Sequence, residues 1–329
     1  MGMALLLGMV GCAVGIHGLG LCEGHGGSHE TLKADGLAVE HSEPVSIKIH
    51  TTTGHIVMPA WIEGDGPYWF VLDTGNQNTT IFADLAAELE LETKPLGEMG
   101  GAGSGSITVL QANNVRVGLG SNGGQASFVD QMVTVLPNAA KLPPFGDKEI
   151  VGFLGATTIE RFVTSIDYEH DLLIFHDQDE FKVAKDAKVM EMKLAFGFPY
   201  FEGTVTPRLL GEPVEPITGS FLLDLGDSNG IGIEFEQAKT ARLVHAEDPD
   251  QTLIGKGRGI DGVEFMLMSA PIESSVMGGM EMDDEVVSFS TTPGGGPPIP
   301  NLVGTVGSGS FPDKVVTLDY KNGRLILTD

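Results

Sequence analysis

The sequence predicts an all-β protein with a few short helices, built from two copies of one domain. Three observations carry that prediction. Glycine is abundant (46 of 329 residues) and proline is common (18), a composition suited to many short strands joined by turns. Apolar residues make up 41% of the chain, enough for a real core. Residues 150–177, "IVGFLGATTIERFVTSIDYEHDLLIFHD", recur without a gap as 302–329, "LVGTVGSGSFPDKVVTLDYKNGRLILTD".

The repeat sets the domain organisation. Val151/Val303, Gly152/Gly304, Gly155/Gly307, Val163/Val315, Asp167/Asp319, Tyr168/Tyr320, Leu173/Leu325, Ile174/Ile326 and Asp177/Asp329 are identical at an offset of 152. A period this long is a domain duplication rather than a solenoid repeat. It predicts two lobes, 45–180 and 181–329, after a leader and linker at 1–44.

Each half has the same coarse order of elements. In the first, Val45–His50 alternates and His55–Ile62 reads as a strand. Gly64-Asp65-Gly66 turns the chain into Tyr68–Leu72. Phe82–Leu91 is a short helix; Thr108–Leu119 and Val129–Leu136 are strands. Residues 97–106, "GEMGGAGSGS", read as a mobile loop because glycine runs seldom hold regular structure. The charged stretch Gln178–Glu191 links the halves. In the second half Gly203–Leu210, Phe221–Leu223 and Val286–Phe289 are strands, with glycine-rich loops at 255–262 and 291–301.

Charge and the N-terminus narrow the function. With 19 Lys+Arg against 45 Asp+Glu, the formal net charge is −26. Such a surface repels phosphate backbones and anionic membranes, so a nucleic-acid partner is not expected. Met3–Ile16 is apolar and uncharged, which suits the core of a signal peptide with cleavage near Gly20 and Cys22. Met9-Val10-Gly11-Cys12 loosely resembles a lipoprotein box, although apolar residues continue beyond it. Export, with no membrane span remaining after cleavage, is the expectation. Both cysteines, Cys12 and Cys22, lie in this segment, so the body carries no disulfide or thiol chemistry. His17, His25 and His29 decorate a glycine-rich tail rather than a metal site.

One stretch poses the functional question. Phe70-Val71-Leu72 runs into Asp73-Thr74-Gly75, which places an aspartate at the end of a buried strand. Asp and Gly are also ordinary turn residues. The duplication supplies a partner: Phe221-Leu222-Leu223 runs into Asp224-Leu225-Gly226, with Asn229 matching Asn78.

Together with Phe153-Leu154-Gly155 and Val303-Gly304 or Val306-Gly307 downstream, these residues resemble the bacterial retropepsin-like aspartic peptidases. The resemblance covers roughly residues 45–329. It implies two acid-protease-like β-barrel lobes about a pseudo-two-fold axis, with Asp73 and Asp224 meeting on that axis. It implies an aspartic endopeptidase that needs no metal or other cofactor, takes a peptide or unfolded protein as substrate, and works as a monomer. In it Gly75 and Gly226 let backbone N–H groups approach the carboxylates. Thr74 donates its hydroxyl across the lobes. The loop 97–106, with Gly100, Gly101 and Gly103, closes over substrate as a flap.

The chain departs from the family pattern at three positions. Leu225 stands where the pattern has Thr or Ser, and Asn76 and Asp227 stand where it has a small residue. A third carboxylate at Asp227 either crowds the pair or points to solvent. Two alternatives stay open: a degenerate member that binds peptide without cutting it, or an unrelated all-β protein whose aspartates only cap turns. Other chemistries find less support. "GKGRG" at 255–259 lacks the spacing of a phosphate loop. Ser104, Ser106 and Ser308 have no placed histidine and acid. His170 and His176 read as surface residues, and Trp61, Trp69, Phe70 and Phe221 as packing residues.

Overall fold

A computed structural model of the chain describes residues 7–8, 44–51, 54–100, 106–120, 126–130, 132–142, 144–208, 214–244, 251–258 and 264–328. The export signal expected at the N-terminus therefore falls almost wholly outside the described residues. Among the described residues no helix is long and apolar enough to cross a membrane. The strands form three sheets. The nine-stranded sheet holds strands from Val57–Ile62 to Ile150–Leu154. The ten-stranded sheet holds strands from Lys193–Ala195 to Leu302–Gly307, with Leu7–Gly8 beside Lys256 and Gly257.

The third sheet joins the halves. Its six strands run in the order Lys188–Glu191, Arg324–Thr328, Val315–Asp319, Val163–Asp167, Leu172–His176, Val45–Lys48. At its centre Thr164 pairs with Leu318, Ser165 with Thr317 and Ile166 with Val316. Moving each partner by the repeat offset exchanges the outer two pairs and returns Ser165·Thr317 to itself. The local two-fold axis thus passes through that pair, whose hydroxyls hydrogen-bond at 2.7 Å. Asp167 and Asp319 play one role on either side. Asp167 accepts from the backbone of His170 at 2.9 Å, and Asp319 from that of Asn322 at 3.1 Å.

The same equivalence holds within the lobes. Asp65–Leu72 runs parallel to Ile150–Leu154, and Ile217–Asp224 parallel to Leu302–Gly307. Apolar runs form these strands because both faces are buried: Phe70, Leu72, Leu154, Phe221, Leu223 and Val306 are all fully inside. Gly155 and Gly307 are required by close approach. A methyl group at either would fall 2.4 Å from the Asn78 carbonyl or 2.2 Å from that of Asn229. This is how the downstream glycine motif carries the loop that follows each aspartate.

The structure corrects several sequence expectations. Gly97–Gly100 and Ser106 are strand residues rather than loop: Thr93–Gly100 pairs with Ser106–Ala112, and the remainder of the expected loop lies outside the described residues. Backbone pairing and the burial of Met99 against Val57, Val71 and Phe82 outweigh the glycine content. Thr252–Arg258 likewise extends into the glycine-rich run at 255–262 and pairs with Glu264–Met277. Thr108–Leu119 is two strands, broken at Asn114, whose φ is +57°. The first helix is shorter than expected, at Ala83–Glu88. The charged link ends in a strand, Lys188–Glu191. His176 is half-buried and bonds Ser165 Oγ at 2.9 Å, because its strand lies inside the joining sheet; His170 is exposed.

Candidate active site

Asp65–Leu72 and Ile217–Asp224 each deliver an aspartate to the junction of the lobes. Asp73 and Asp224 are buried, and a hydrogen bond links their carboxyl groups. Two carboxylates can bond directly only when one carries the proton. Each accepts a matching backbone bond: Gly75 N–H to Asp73 Oδ1 at 2.9 Å and Gly226 N–H to Asp224 Oδ1 at 3.0 Å.

The two glycines also explain how the carboxyls meet. A methyl group on Gly75 would sit 2.8 Å from Asp224 Oδ1, and one on Gly226 would sit 2.6 Å from Asp73 Oδ1. Each glycine is therefore the floor under the other lobe's aspartate, and no side chain fits there.

Thr74 makes half of a reciprocal grip. Its hydroxyl donates to the Leu223 carbonyl at 2.6 Å and accepts from the Leu225 N–H at 2.8 Å. Leu225 occupies the mirror position, fully buried, and offers packing in place of a hydroxyl. Thr74→Val should therefore leave a donor and an acceptor of the other lobe unmatched, at a cost of about 1–3 kcal/mol each. Thermal denaturation measures this; an unchanged melting temperature would show that the grip carries no stability.

Other cross-lobe contacts hold the junction. The Ser308 hydroxyl, with one proton to give, donates across the lobes to the Gly54 carbonyl at 2.6 Å and lies 3.0 Å from the Asp227 carbonyl of its own half. From the opposite side Gln77 donates its amide to the Phe196 carbonyl at 2.7 Å. Ser308 thus pins the fold rather than acting as a nucleophile.

Asp227 points inward, not to solvent. It is buried, and its Oδ1 accepts both the N–H (2.9 Å) and the side-chain amide (2.6 Å) of Asn229. Burial, and next the Asp224 charge, push its pKa up to about 7, against the pull of the Asn229 bonds. Burial likewise raises Asp73 to about 6, although the bonds from Asp224, Gly75 and Asn76 pull the other way; the Asp227 charge raises it further. The matching residue of the first lobe, Asn76, is uncharged and donates to Thr80 Oγ1 at 2.7 Å.

Two further carboxyls escaped sequence reasoning. Asp130 accepts from Thr79 Oγ1 and lies 3.4 Å from Arg161 Nη2, which fixes the loop behind Asp73. Asp284 accepts from Ile231 N–H at 3.3 Å and from Ser310 Oγ at 3.1 Å behind Asp224. Burial raises both carboxyls. Neither follows a motif; only the fold brings them to these loops.

Of the expected flap residues, Gly100 ends a strand and pairs with Ser106, whereas Gly101 and Gly103 lie outside the described residues. Among the described residues no group of three or more His, Cys, Asp or Glu could hold a metal ion.

Comparison with curated proteins gives no match. Among solved structures, an aspartic proteinase from Irpex lacteus is 13% identical with a TM-score of 0.47, covering 87% of this chain and 97% of that one. Soybean basic 7S globulin is 9% identical (TM-score 0.43; 87% and 94% covered). Conglutin gamma, a basic 7S globulin from lupine seeds, is 10% identical (TM-score 0.46; 88% and 95% covered). Residues 58–157 match the family described as aspartyl protease. That span contains Asp73-Thr74-Gly75 and Phe153-Leu154-Gly155, so the family match falls on the segment that carries the first of the two aspartates.

Proposed function

We propose that the protein is an aspartic endopeptidase whose catalytic pair is Asp73 and Asp224. One observation carries the reading: two buried carboxyls from equivalent strand ends share a hydrogen bond on the line between the lobes. Burial and mutual repulsion hold one proton on the pair, which titrates as a unit. The ionised member takes a proton from water, and that water's oxygen attacks the peptide carbonyl carbon. The protonated member gives its proton to the carbonyl oxygen as negative charge develops there. The tetrahedral adduct then collapses, the C–N bond breaks, and the amine leaves with a proton returned from the pair. No covalent intermediate forms. Gly75 and Gly226 N–H groups hold the carboxyls in register, and the paired strands Thr93–Gly100 and Ser106–Ala112 cover the substrate and exclude water.

The test is hydrolysis of a denatured protein between acid and neutral pH. Both aspartates come from one chain, so specific activity should not depend on enzyme concentration. Activity that rises with concentration would show that the working pair forms between chains. Buried Leu225 and Asp227 favour a second reading, in which the cleft binds peptide without turnover. Peptide binding with no product at any pH would select it.

A further inference from the structure

The two lobes differ beside the aspartates at one pair of positions. In the first lobe Phe82 precedes the helix Ala83–Glu88 and packs edge-on against Phe153, centroids 6.0 Å apart, inside an apolar cluster. Strand register identifies the counterparts. Ile81 and Ile233 pair with Gly152 and Gly304, and Phe153 and Thr305 pair with Thr80 and Gly232. Glu234, which precedes the helix Phe235–Thr240, therefore stands in the place of Phe82, and Thr305 in that of Phe153. Where the first lobe holds two rings, the second holds a narrow cavity of about 50 Å³ that opens to solvent. Its walls include Ile233, Phe265, Leu267 and Phe289, and Asp227 and Glu234 also line it.

Glu234 is the uncommitted acid of this cavity. Its carboxyl makes no hydrogen bond or ion pair with any described residue. Its Oε1 lies 3.7 Å from where a methyl group on Gly296 would be, which places it beside the 291–301 loop. Burial raises its pKa. The residue is half-buried, so its carboxyl is partly desolvated yet still reachable from solvent. Asp227, by contrast, is bonded to Asn229, and its charge acts on both Asp73 and Asp224. Asp227, which lines the cavity, follows Asp224 by three residues, so the cavity adjoins the loop that leaves the second aspartate.

We infer that this cavity receives a lysine or arginine side chain of the bound peptide, from a residue adjoining the scissile bond, with Glu234 as its counter-charge. The inference rests on the peptide-cleft reading above. Apolar walls suit the methylene stem of such a side chain and the carboxylate suits its head. The net charge of −26 favours encounter with basic peptides.

The experiment uses peptides identical except for Lys, Met or Glu at the position beside the scissile bond. The unmutated protein should prefer Lys over Met by roughly 10–100-fold in kcat/KM, the range of a charge-assisted contact. Glu234→Gln, nearly isosteric, should collapse the Lys:Met ratio towards one, and Glu234→Lys should move preference to the Glu peptide. The same peptides are titrated by fluorescence anisotropy against the Asp73→Asn protein, which needs no turnover. Lys-selective binding that Glu234→Gln removes would sustain the pocket even if the unmutated protein cleaved nothing; only the peptidase reading would then fall. Cleavage or binding with an Lys:Met ratio unmoved by Glu234→Gln overturns the pocket. Failure to bind any of the three peptides overturns both.

Discussion

Asp73→Asn should abolish peptide cleavage while leaving a folded protein. The substitution keeps the shape of the side chain and an oxygen that can accept the Gly75 N–H bond at Oδ1. It removes the group that shares the proton with Asp224. General acid–base work of this kind is typically worth about 10²–10⁴-fold in rate, and a pair that acts as a unit loses most of its effect with either member. Stability should hold or rise, because a buried charge is removed from beside Asp227. Cleavage of a denatured protein, with circular dichroism as the check on folding, is the measurement. A folded Asp73→Asn protein that still cleaves rapidly would rule out the mechanism.

The second large effect lies at Asp227 and is read as stability against pH. Asp227 titrates near 7 in the fold, against an ordinary value of 3.8. Between those values the folded state holds a proton that the unfolded state has lost. Stability contributed by this group therefore falls as pH rises from about 4 to about 7, and is flat above and below. Asp73, raised to about 6, works in the same direction over a narrower window. At neutral pH the Asp227 carboxylate destabilises the fold by roughly 4 kcal/mol. Asp227→Asn should recover most of that above pH 7 and nothing near pH 4. Both Asn229 bonds go to one oxygen, Oδ1, which an amide can supply. The acid limb of the pH–rate profile should also move to lower pH, since the Asp227 charge opposes ionisation of Asp73. Urea denaturation at pH 4 and pH 8 measures the first part. Equal stability changes at both values would show that the charge is not what matters.

How much of this was legible in the sequence differs from residue to residue. Asp73 and Asp224 were legible because duplication copied an apolar run, an aspartate and a glycine at one offset. The equivalence of Asp167 with Asp319 was legible in the gap-free repeat, but the joining sheet that pairs Ser165 with Thr317 was not, because a repeat equates positions without pairing them. The pairing of Thr93–Gly100 with Ser106–Ala112 was hidden, because local glycine content argued for a loop and only cross-strand pairing and the burial of Met99 decide otherwise. The direction of Asp227 was open, since a motif gives a position and not the surroundings that bury it. Glu234 was hidden for a different reason. One extra residue between Asn229 and Gly232 shifts the offset from 151 to 152, so Phe82 and Glu234 align only through strand register.

The central claim, that Asp73 and Asp224 act as one catalytic unit, is tested most directly by a double-mutant cycle on kcat/KM. Asp73→Asn, Asp224→Asn and the double variant are compared with the unmutated protein on one peptide, each shown to be folded. A shared proton predicts that each single change removes essentially all activity and that the double variant falls no further than either. Losses that multiply, or a single variant that keeps near-normal kcat/KM, would contradict it.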